Sequence, residues 1–189
     1  VYNAAAIIVE VSTGNIVAYV GNVNQSMEHA NKVDVVTANR STGSVLKPFL
    51  YALSIDKGII IPDSLIEDVP TYFGSFNPSN ANRTYSGMLR AGDALKKSLN
   101  IPAVILLERY GIDEFYHFLI DNCKFAETKG AKHHGYSLIL GSMELSVWDI
   151  LSLYNGLGNY GVFRELKIKK GDKKEKKRYI SKAASYMIL

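Results

Sequence analysis

The chain has 189 residues, a length typical of one domain or of part of a larger one. Hydrophobic residues make up 47% and charged residues 21%, which predicts a packed core and excludes a chain disordered throughout. The single cysteine excludes an internal disulfide, and no apolar run reaches the roughly 18 residues that a membrane-spanning helix needs. We therefore expect any export signal or membrane anchor to lie outside these residues.

The formal net charge of +4 is concentrated in one basic run. Residues 167–178 contain eight Lys or Arg and two Asp or Glu, whereas the rest of the chain is slightly acidic. A basic run can bind nucleic acid or anionic lipid, but this one has no interleaved aromatic residues. We predict a solvated basic surface loop over 167–178 and no nucleic-acid partner.

The first half of the chain reads as a hairpin, a loop and a helix. Residues 4–11 and 15–20 are rich in β-branched residues and flank a Thr-Gly turn, which predicts a β-hairpin. After a polar stretch, apolar residues at helical spacing predict a helix that begins at Ser44 and ends at Gly58. Three prolines among polar residues predict a long irregular segment over 62–88.

The second half is predominantly helical. Asp93 is a plausible N-cap or first-turn residue of a short helix, and Pro102 suits the first turn of a longer one. Asp113 begins another helix, Ser146 is a candidate cap of the last clear one, and residues 179–189 start one more. A hairpin followed by helices predicts an α+β fold with helices packed on an antiparallel sheet.

The strongest chemical signal is Ser44 followed three residues later by Lys47. At the start of a helix the two side chains share a face, so a lysine with a lowered pKa can take the serine proton. The helix N-terminus would also offer backbone N–H groups to a developing oxyanion. Ser-x-x-Lys alone is common in ordinary helices. Pro48, which we expect in the second turn, would cost a backbone hydrogen bond, as a functional constraint can require.

A second candidate is the pair Ser98 and Asn100, two residues apart between two predicted helices. On a loop, the hydroxyl and the amide can point into one cleft, where the serine relays a proton and the amide holds a peptide carbonyl. Helix capping by either residue is the alternative interpretation.

Four stretches that contain these motifs resemble the transpeptidase domain of bacterial penicillin-binding proteins, whose first two motifs are Ser-x-x-Lys and Ser-x-Asn. They fall in the family's order and approximate spacing, and their amino-acid sequences are most similar to those of the bifunctional class A enzymes of the 1C type. The stretches are RSTGSVLKPFLYALSIDKG, FNPSNANRTYSG, ALKKSLNIPAVILLERYG and LILGSMELSVWDILSLYNGLGNYG.

The resemblance implies a role for each motif residue. Ser44 would be the acylated nucleophile, Lys47 its base and Ser98 a proton shuttle, while Asn100 would position the donor peptide or the β-lactam side chain. The implied substrates are peptidoglycan stem peptides that end in D-Ala-D-Ala, and β-lactams would acylate the same serine. The resemblance implies a transpeptidase fold shared with serine β-lactamases, and no metal or organic cofactor.

One family motif, Lys-Thr/Ser-Gly on a strand at the sheet edge, does not occur in the sequence. We therefore expect residues 1–189 to be a partial transpeptidase domain without its C-terminal strands. The resemblance further implies a glycosyltransferase domain outside the chain. It implies a location in the cell envelope, on the periplasmic side of the inner membrane, with membrane contact only through segments outside the chain.

Two alternatives stay open at this stage. A serine β-lactamase shares the first motif, although no segment can be assigned as its deacylating base. A non-catalytic module, a sensor or scaffold, would bind β-lactams or stem peptides in the same cleft, and the absence of the third motif supports it. In either case, half a sheet predicts exposed apolar surface or self-association.

Two further residue types are weaker candidates. His133 and His134 are adjacent, but no carboxylate or cysteine at useful spacing joins them, so we expect an exposed loop there. Cys123 has no candidate base beside it and is predicted to be a partly buried small residue.

Overall fold

The computed structural model describes residues 3–23, 32–124, 126, 129–168 and 175–189. Within these ranges the strands are β1 (Ala6–Val9), β2 (Ile16–Val20), β3 (Arg40–Ser41), β4 (Leu65–Asp68), β5 (Gly87–Arg90), β6 (Glu144–Leu145), β7 (Val162–Arg164) and β8 (Lys176–Arg178). The α-helices are α1 (Lys47–Asp56), α2 (Ala91–Lys96), α3 (Asn100–Tyr110), α4 (Ile112–Asn122), α5 (Ala131–His134), α6 (Val147–Gly158) and α7 (Lys182–Ile188), and a 3₁₀ helix covers Gly135–Leu140.

The described strands pair into four antiparallel two-stranded sheets: β1 with β2, β3 with β6, β4 with β5, and β7 with β8. The β1–β2 hairpin turns at Gly14, whose φ of +74° is open to glycine at no steric cost. Helices and antiparallel strands together confirm the predicted α+β class.

The core is built around α1, which contacts α2, α3 and α7. Apolar side chains from these helices and from α4 and α6 form one large buried cluster. A smaller cluster around Trp148 lies under the inner face of the β1–β2 hairpin, to which Ile7, Val9 and Ile16 belong. Burial of apolar surface stabilises a fold by roughly 25 cal/mol per Å², so these packed helices stabilise the fold.

The prediction that α1 begins at Ser44 is wrong by three residues. Residues 43–46 form a hydrogen-bonded turn, in which Val45 N–H donates to Thr42 O at 3.1 Å, and the helix begins at Lys47. Pro48 therefore lies in the first turn, where its missing N–H would have no partner inside the helix anyway. The expected energetic cost of Pro48 does not arise.

The prediction of little regular structure over 62–88 is also incomplete. This segment contains β4 and the first half of β5, and the two strands pair from Leu65 opposite Arg90 to Asp68 opposite Gly87. Short strands separated by a long polar loop give too few alternating residues to reveal their period. The hairpin matters because it carries Asp68, and the loop between its strands carries Asn80, beside the site described below.

The predicted helices of the second half are present. Asp93 lies in the first turn of α2, Pro102 in the first turn of α3 and Asp113 in that of α4. Ser146 caps α6 in a complete capping box with Asp149, as a serine before an apolar run predicts. Val147, the first residue of α6, faces solvent.

The basic run is described only in part, since residues 169–174 lie outside the described residues. Lys167 forms a parallel bridge with Asn15, and Lys176–Arg178 is the exposed strand β8, paired with β7. In the part of the chain that the structure describes, no helix combines the length and the apolar character needed to cross a membrane.

Candidate active site

Ser44 and Lys47 lie at the junction between a turn and the first residue of α1. The amide of Lys47 donates to Ser44 O at 3.2 Å, so the two residues are joined by a single tight turn. Gly43, just before the serine, has a φ of +51°, and Ser44 is half-buried. The serine thus lies just before the N-terminus of α1, where Pro48 has no N–H and the Phe49 N–H donates to Leu46 O at 3.2 Å.

The turn that carries Ser44 and Lys47 is one wall of the candidate site, and the short connection between α2 and α3 is the other. Ser98 occupies it with a φ of +53°, a left-handed conformation that costs a non-glycine residue of order 1 kcal/mol and is enriched at functional sites. Its amide donates to Leu95 O at 2.8 Å, closing the last turn of α2. Asn100 then begins α3.

The Lys47 ammonium joins the two walls. Its Nζ donates to Ser98 O at 2.7 Å and to Asn100 Oδ1 at 2.8 Å, and it lies 3.3 Å from Ser98 Oγ. Lys47 therefore contacts Ser98 and Asn100 directly, although these two residues lie about 50 positions later in the sequence. Three of the four predicted site residues are thus brought together.

Lys47 is buried without an ion-pair partner. Only 1% of the residue is exposed, and the three atoms that surround Nζ are uncharged oxygens. Among the described residues no carboxylate lies within ion-pair distance of it. Burial therefore disfavours the charged form and lowers the pKa of Lys47 from 10.5 to about 8.

The Ser44 side chain makes no hydrogen bond to the other three candidate residues. Its hydroxyl makes no hydrogen bond within the described residues, and Lys47 Nζ is engaged by Ser98 and Asn100 instead. Catalytic hydrogen bonds often shorten or form only when the substrate binds, so the missing bond between Ser44 and Lys47 does not exclude Ser44 as a nucleophile.

The turn that carries Ser44 is fixed from the other side by residues that the sequence did not single out. Thr42 Oγ1 donates to Met143 O at 3.0 Å, and the Tyr154 hydroxyl donates to Val45 O at 3.0 Å. Gly141 approaches so closely that a Cβ there would lie 2.6 Å from the amide nitrogen of Gly43. A glycine and a tyrosine in a long apolar segment carry no signal of this role before the fold is known.

Asn100 is likewise held by residues that sequence reasoning missed. Its backbone N–H donates to Asn80 Oδ1 at 2.9 Å, and its side-chain Nδ2 donates to Ser79 O at 2.8 Å. Asn80 in turn donates to Asp68 Oδ1 at 2.7 Å. These residues lie in the stretch predicted to be irregular, where polar side chains are ordinary.

The weaker candidates lie elsewhere. His133 and His134 belong to α5 rather than to an exposed loop, and His134 is buried with Nδ1 3.1 Å from Ser142 Oγ. Cys123 is half-buried, and burial together with the nearby Asp149 raises the pKa of its thiol. No group of three or more potential metal ligands occurs among the described residues.

Comparison with known proteins identifies the family of the chain. The model of the penicillin-binding-protein transpeptidase domain matches residues 4–188. Penicillin-binding protein 1C of Escherichia coli is 32% identical over 185 residues, 97% of this chain and 24% of that protein. Penicillin-binding protein 1B of Vibrio cholerae is 32% identical over 168 residues, 84% of this chain and 20% of that protein. The chain thus spans about a quarter or less of these relatives.

Solved structures show the same fold at low sequence identity. A peptidoglycan glycosyltransferase from Burkholderia ambifaria superposes with a TM-score of 0.79 at 17% identity, covering 97% of this chain and 63% of that one. The apo transpeptidase domain of penicillin-binding protein 3 from Burkholderia pseudomallei gives 0.79 at 18% identity, covering 98% and 60%. The resemblance noted in the motifs is confirmed along nearly the whole sequence: the chain belongs to the transpeptidase-domain family of penicillin-binding proteins.

Proposed function

We propose that the chain carries the acyl-transfer site of a peptidoglycan D,D-transpeptidase, with Ser44 as its nucleophile. The observation that carries this proposal is Lys47, a buried amine with a pKa lowered to about 8, one turn after the serine and bonded to Ser98 and Asn100. An amine with this pKa is partly neutral near pH 7.5 and can act as a base, which an exposed lysine cannot.

The reaction proceeds in two balanced steps. Ser44 Oγ attacks the penultimate D-Ala carbonyl carbon of a stem peptide while Lys47 Nζ takes the hydroxyl proton. The C–N bond then breaks, and the departing D-Ala amine receives a proton through Ser98. An amine of a neighbouring stem peptide attacks the resulting ester, forms the new amide bond and returns the serine oxygen with its proton. Asn100 holds the amide of the acyl donor meanwhile.

The family supports a β-lactam as a second acyl donor. Opening of the strained four-membered ring leaves an ester on Ser44 with no departing fragment, so the adduct has the mass of protein plus intact drug. Stem peptides and β-lactams are thus the proposed partners, and the cell envelope, on the periplasmic side of the inner membrane, is the proposed location. Peptidoglycan lies there.

A non-catalytic module that binds the same ligands is the second candidate. One observation favours it: the Ser44 hydroxyl and Lys47 Nζ are not hydrogen-bonded to each other, since the lysine is saturated by Ser98 and Asn100. Such a module would bind a β-lactam reversibly and form no ester.

Intact-protein mass spectrometry separates the two candidates. The full-length protein that contains these residues, and its Ser44→Ala variant, are incubated with a penicillin and weighed. We expect one adduct of the drug's mass on the native protein and none on the variant. Reversible binding without an adduct on either protein would establish the binding module instead, and an adduct on both would exclude Ser44 as the nucleophile.

A further inference from the structure

The segment that carries Ser98 and Asn100 is hydrogen-bonded to a buried pair of polar residues, Asp68 and Asn80, to which the proposed reaction assigns no role. Asp68 at the end of β4 is fully buried, and Asn80 is 2% exposed. Asn80 Oδ1 accepts from the Asn100 N–H at 2.9 Å, while its Nδ2 donates to Asp68 Oδ1 at 2.7 Å and to Thr84 O at 2.9 Å.

The direction of each of these bonds is fixed by chemistry. The Asn100 N–H can only donate, so the atom of Asn80 that faces it is the carbonyl oxygen. The Thr84 carbonyl and the Asp68 carboxylate accept, so the amino group of Asn80 faces them. Asp68 is itself held by the Ser86 N–H, at 2.7 Å from Oδ2. The Asn80 amide therefore has one orientation.

Asn80 supplies a hydrogen-bond acceptor for the first N–H of α3. The N–H of Asn100, the first helical residue, has no partner inside the helix, and the N-cap residue Leu99 has no polar side chain to provide one. The same segment holds the Asn100 side chain, because Ser79 O accepts from Nδ2 at 2.8 Å. With Nδ2 engaged, Oδ1 is directed to Lys47 Nζ.

We propose that Asn80, oriented by Asp68, is a positioning residue for acyl transfer: it fixes Asn100, and through Asn100 the side-chain amide of the acyl donor. The inference rests on the proposed function, because it assigns Asn80 a part in that reaction. Asn80 itself touches neither the substrate nor the reacting atoms. A small displacement of a residue that orients a substrate can slow a reaction about a hundred-fold, so the effect is measurable.

Two variants separate positioning from simple support of the fold. Asn80→Asp keeps the size and the acceptor for Asn100, but it turns an oxygen toward the Asp68 carboxylate and the Thr84 carbonyl. The double variant Asp68→Asn/Asn80→Asp reverses the polarity of the pair. In it, the amide at position 68 accepts from Ser86 and donates to the carboxylate at position 80, so three of the four bonds and the net charge are kept.

Ser181→Ala is the matched control. The Ser181 hydroxyl caps α7 by accepting from the Ala184 N–H at 3.1 Å, so its removal also costs one helix cap. The cap lies next to Asp56 at the far end of α1 from Lys47. Its loss lowers Tm without disturbing the segment around Asn100.

The experiment measures the rate constant of adduct formation for each folded protein with two ligands, a penicillin with an acylamido side chain and the penicillin nucleus with a free amine instead. With the first ligand we expect Asn80→Asp to be about ten-fold to a hundred-fold slower than the native protein. The loss with the second ligand should be about threefold or less, since Asn100 has no side-chain amide to hold. The double variant should lie within about threefold of the native rate, and Ser181→Ala within about twofold.

Equal losses with the two ligands would overturn the inference, as would a folded double variant as slow as Asn80→Asp. If Asn80→Asp does not fold, the double variant decides alone: a near-native rate supports positioning, and a slow rate in a folded protein contradicts it. Failure of the proposed function is a separate result, since there the native protein forms no adduct or Ser44→Ala forms one.

Discussion

The burial of Lys47 is the property on which the proposed chemistry of the site depends. A surface lysine stays protonated at neutral pH, whereas this amine is enclosed by the helix core and meets only neutral oxygens. An acidic neighbour would have favoured the charged form of Lys47, which cannot act as a base. Ser98 O and Asn100 Oδ1 hold Nζ in position without that effect.

The rate of Ser44 acylation should therefore follow the neutral form of Lys47. A pKa lowered to about 8 means that the neutral amine grows from about a tenth of the molecules at pH 7 to about nine tenths at pH 9. We expect the rate of penicillin adduct formation to rise about tenfold over that interval and then level off. Timed quenching and mass spectrometry at each pH measures it.

Lys47→Arg is the control for this pH dependence, because the guanidinium keeps the positive charge but cannot lose its proton. The variant should form no adduct at any pH from 7 to 9.5. A native rate that keeps rising up to pH 10.5, the ordinary value for lysine, would contradict the lowered pKa of Lys47, and an adduct on Lys47→Arg would contradict its assignment as the base.

At the scale of elements, the loop between the 3₁₀ helix and β6 fixes the turn that carries Ser44. Gly141 has a φ of +109°, and a Cβ added there would lie 2.6 Å from the amide nitrogen of Gly43. Ser41 Oγ donates to Gly141 O at 2.7 Å, so the two loops are joined as well as closely packed. Any side chain at position 141 must push the residues before Ser44 away.

Gly141→Ala should accordingly reduce both stability and acylation. The unfavourable φ alone costs of order 1–3 kcal/mol, and the contact is with backbone, which cannot rotate aside. Chemical denaturation and the penicillin adduct rate measure the two effects. Gly130→Ala is the control, since Gly130 has a φ of +90° with no atom within 4 Å of the added Cβ. Equal adduct rates in the two variants would show that the close approach is unimportant for Ser44.

Helices whose ends are marked by capping residues or prolines could be predicted from the sequence. The residues that hold the candidate site in position could not. Ser146 with its capping box and Pro102 in the first turn of α3 depend on neighbouring residues, which the sequence displays. The start of α1 was misplaced because apolar spacing does not distinguish a turn from the first helical turn. Asn80 was missed because its role depends on Asn100, 20 residues away, and on burial that only the fold creates.

At the scale of the whole molecule, the β1–β2 hairpin is covered on one side only. Its inner face packs on the cluster around Trp148, whereas Ile8, Val17 and Val20 form an apolar hairpin surface open to solvent. Ile8 is 57% and Val17 68% exposed, values unusual for strand residues of this type. Among the described strands β1 pairs only with β2, and the bridge between Asn15 and Lys167 covers only the start of β2, so neither outer edge has a neighbouring strand along its length there.

The 189-residue chain should therefore self-associate through the apolar hairpin surface, and Ile8→Lys/Val17→Lys should reduce that association. Two lysines place charges on the surface that would have to be desolvated in any contact between copies, and repulsion across the contact adds to the cost. Light scattering coupled to size-exclusion chromatography, over a range of protein concentrations, gives the mean mass. Tyr186→Lys on α7 is the control, since Tyr186 is 73% exposed but lies away from the hairpin. A native chain that stays monomeric at high concentration, or a Tyr186 variant that dissociates as readily as the double variant, would contradict the prediction.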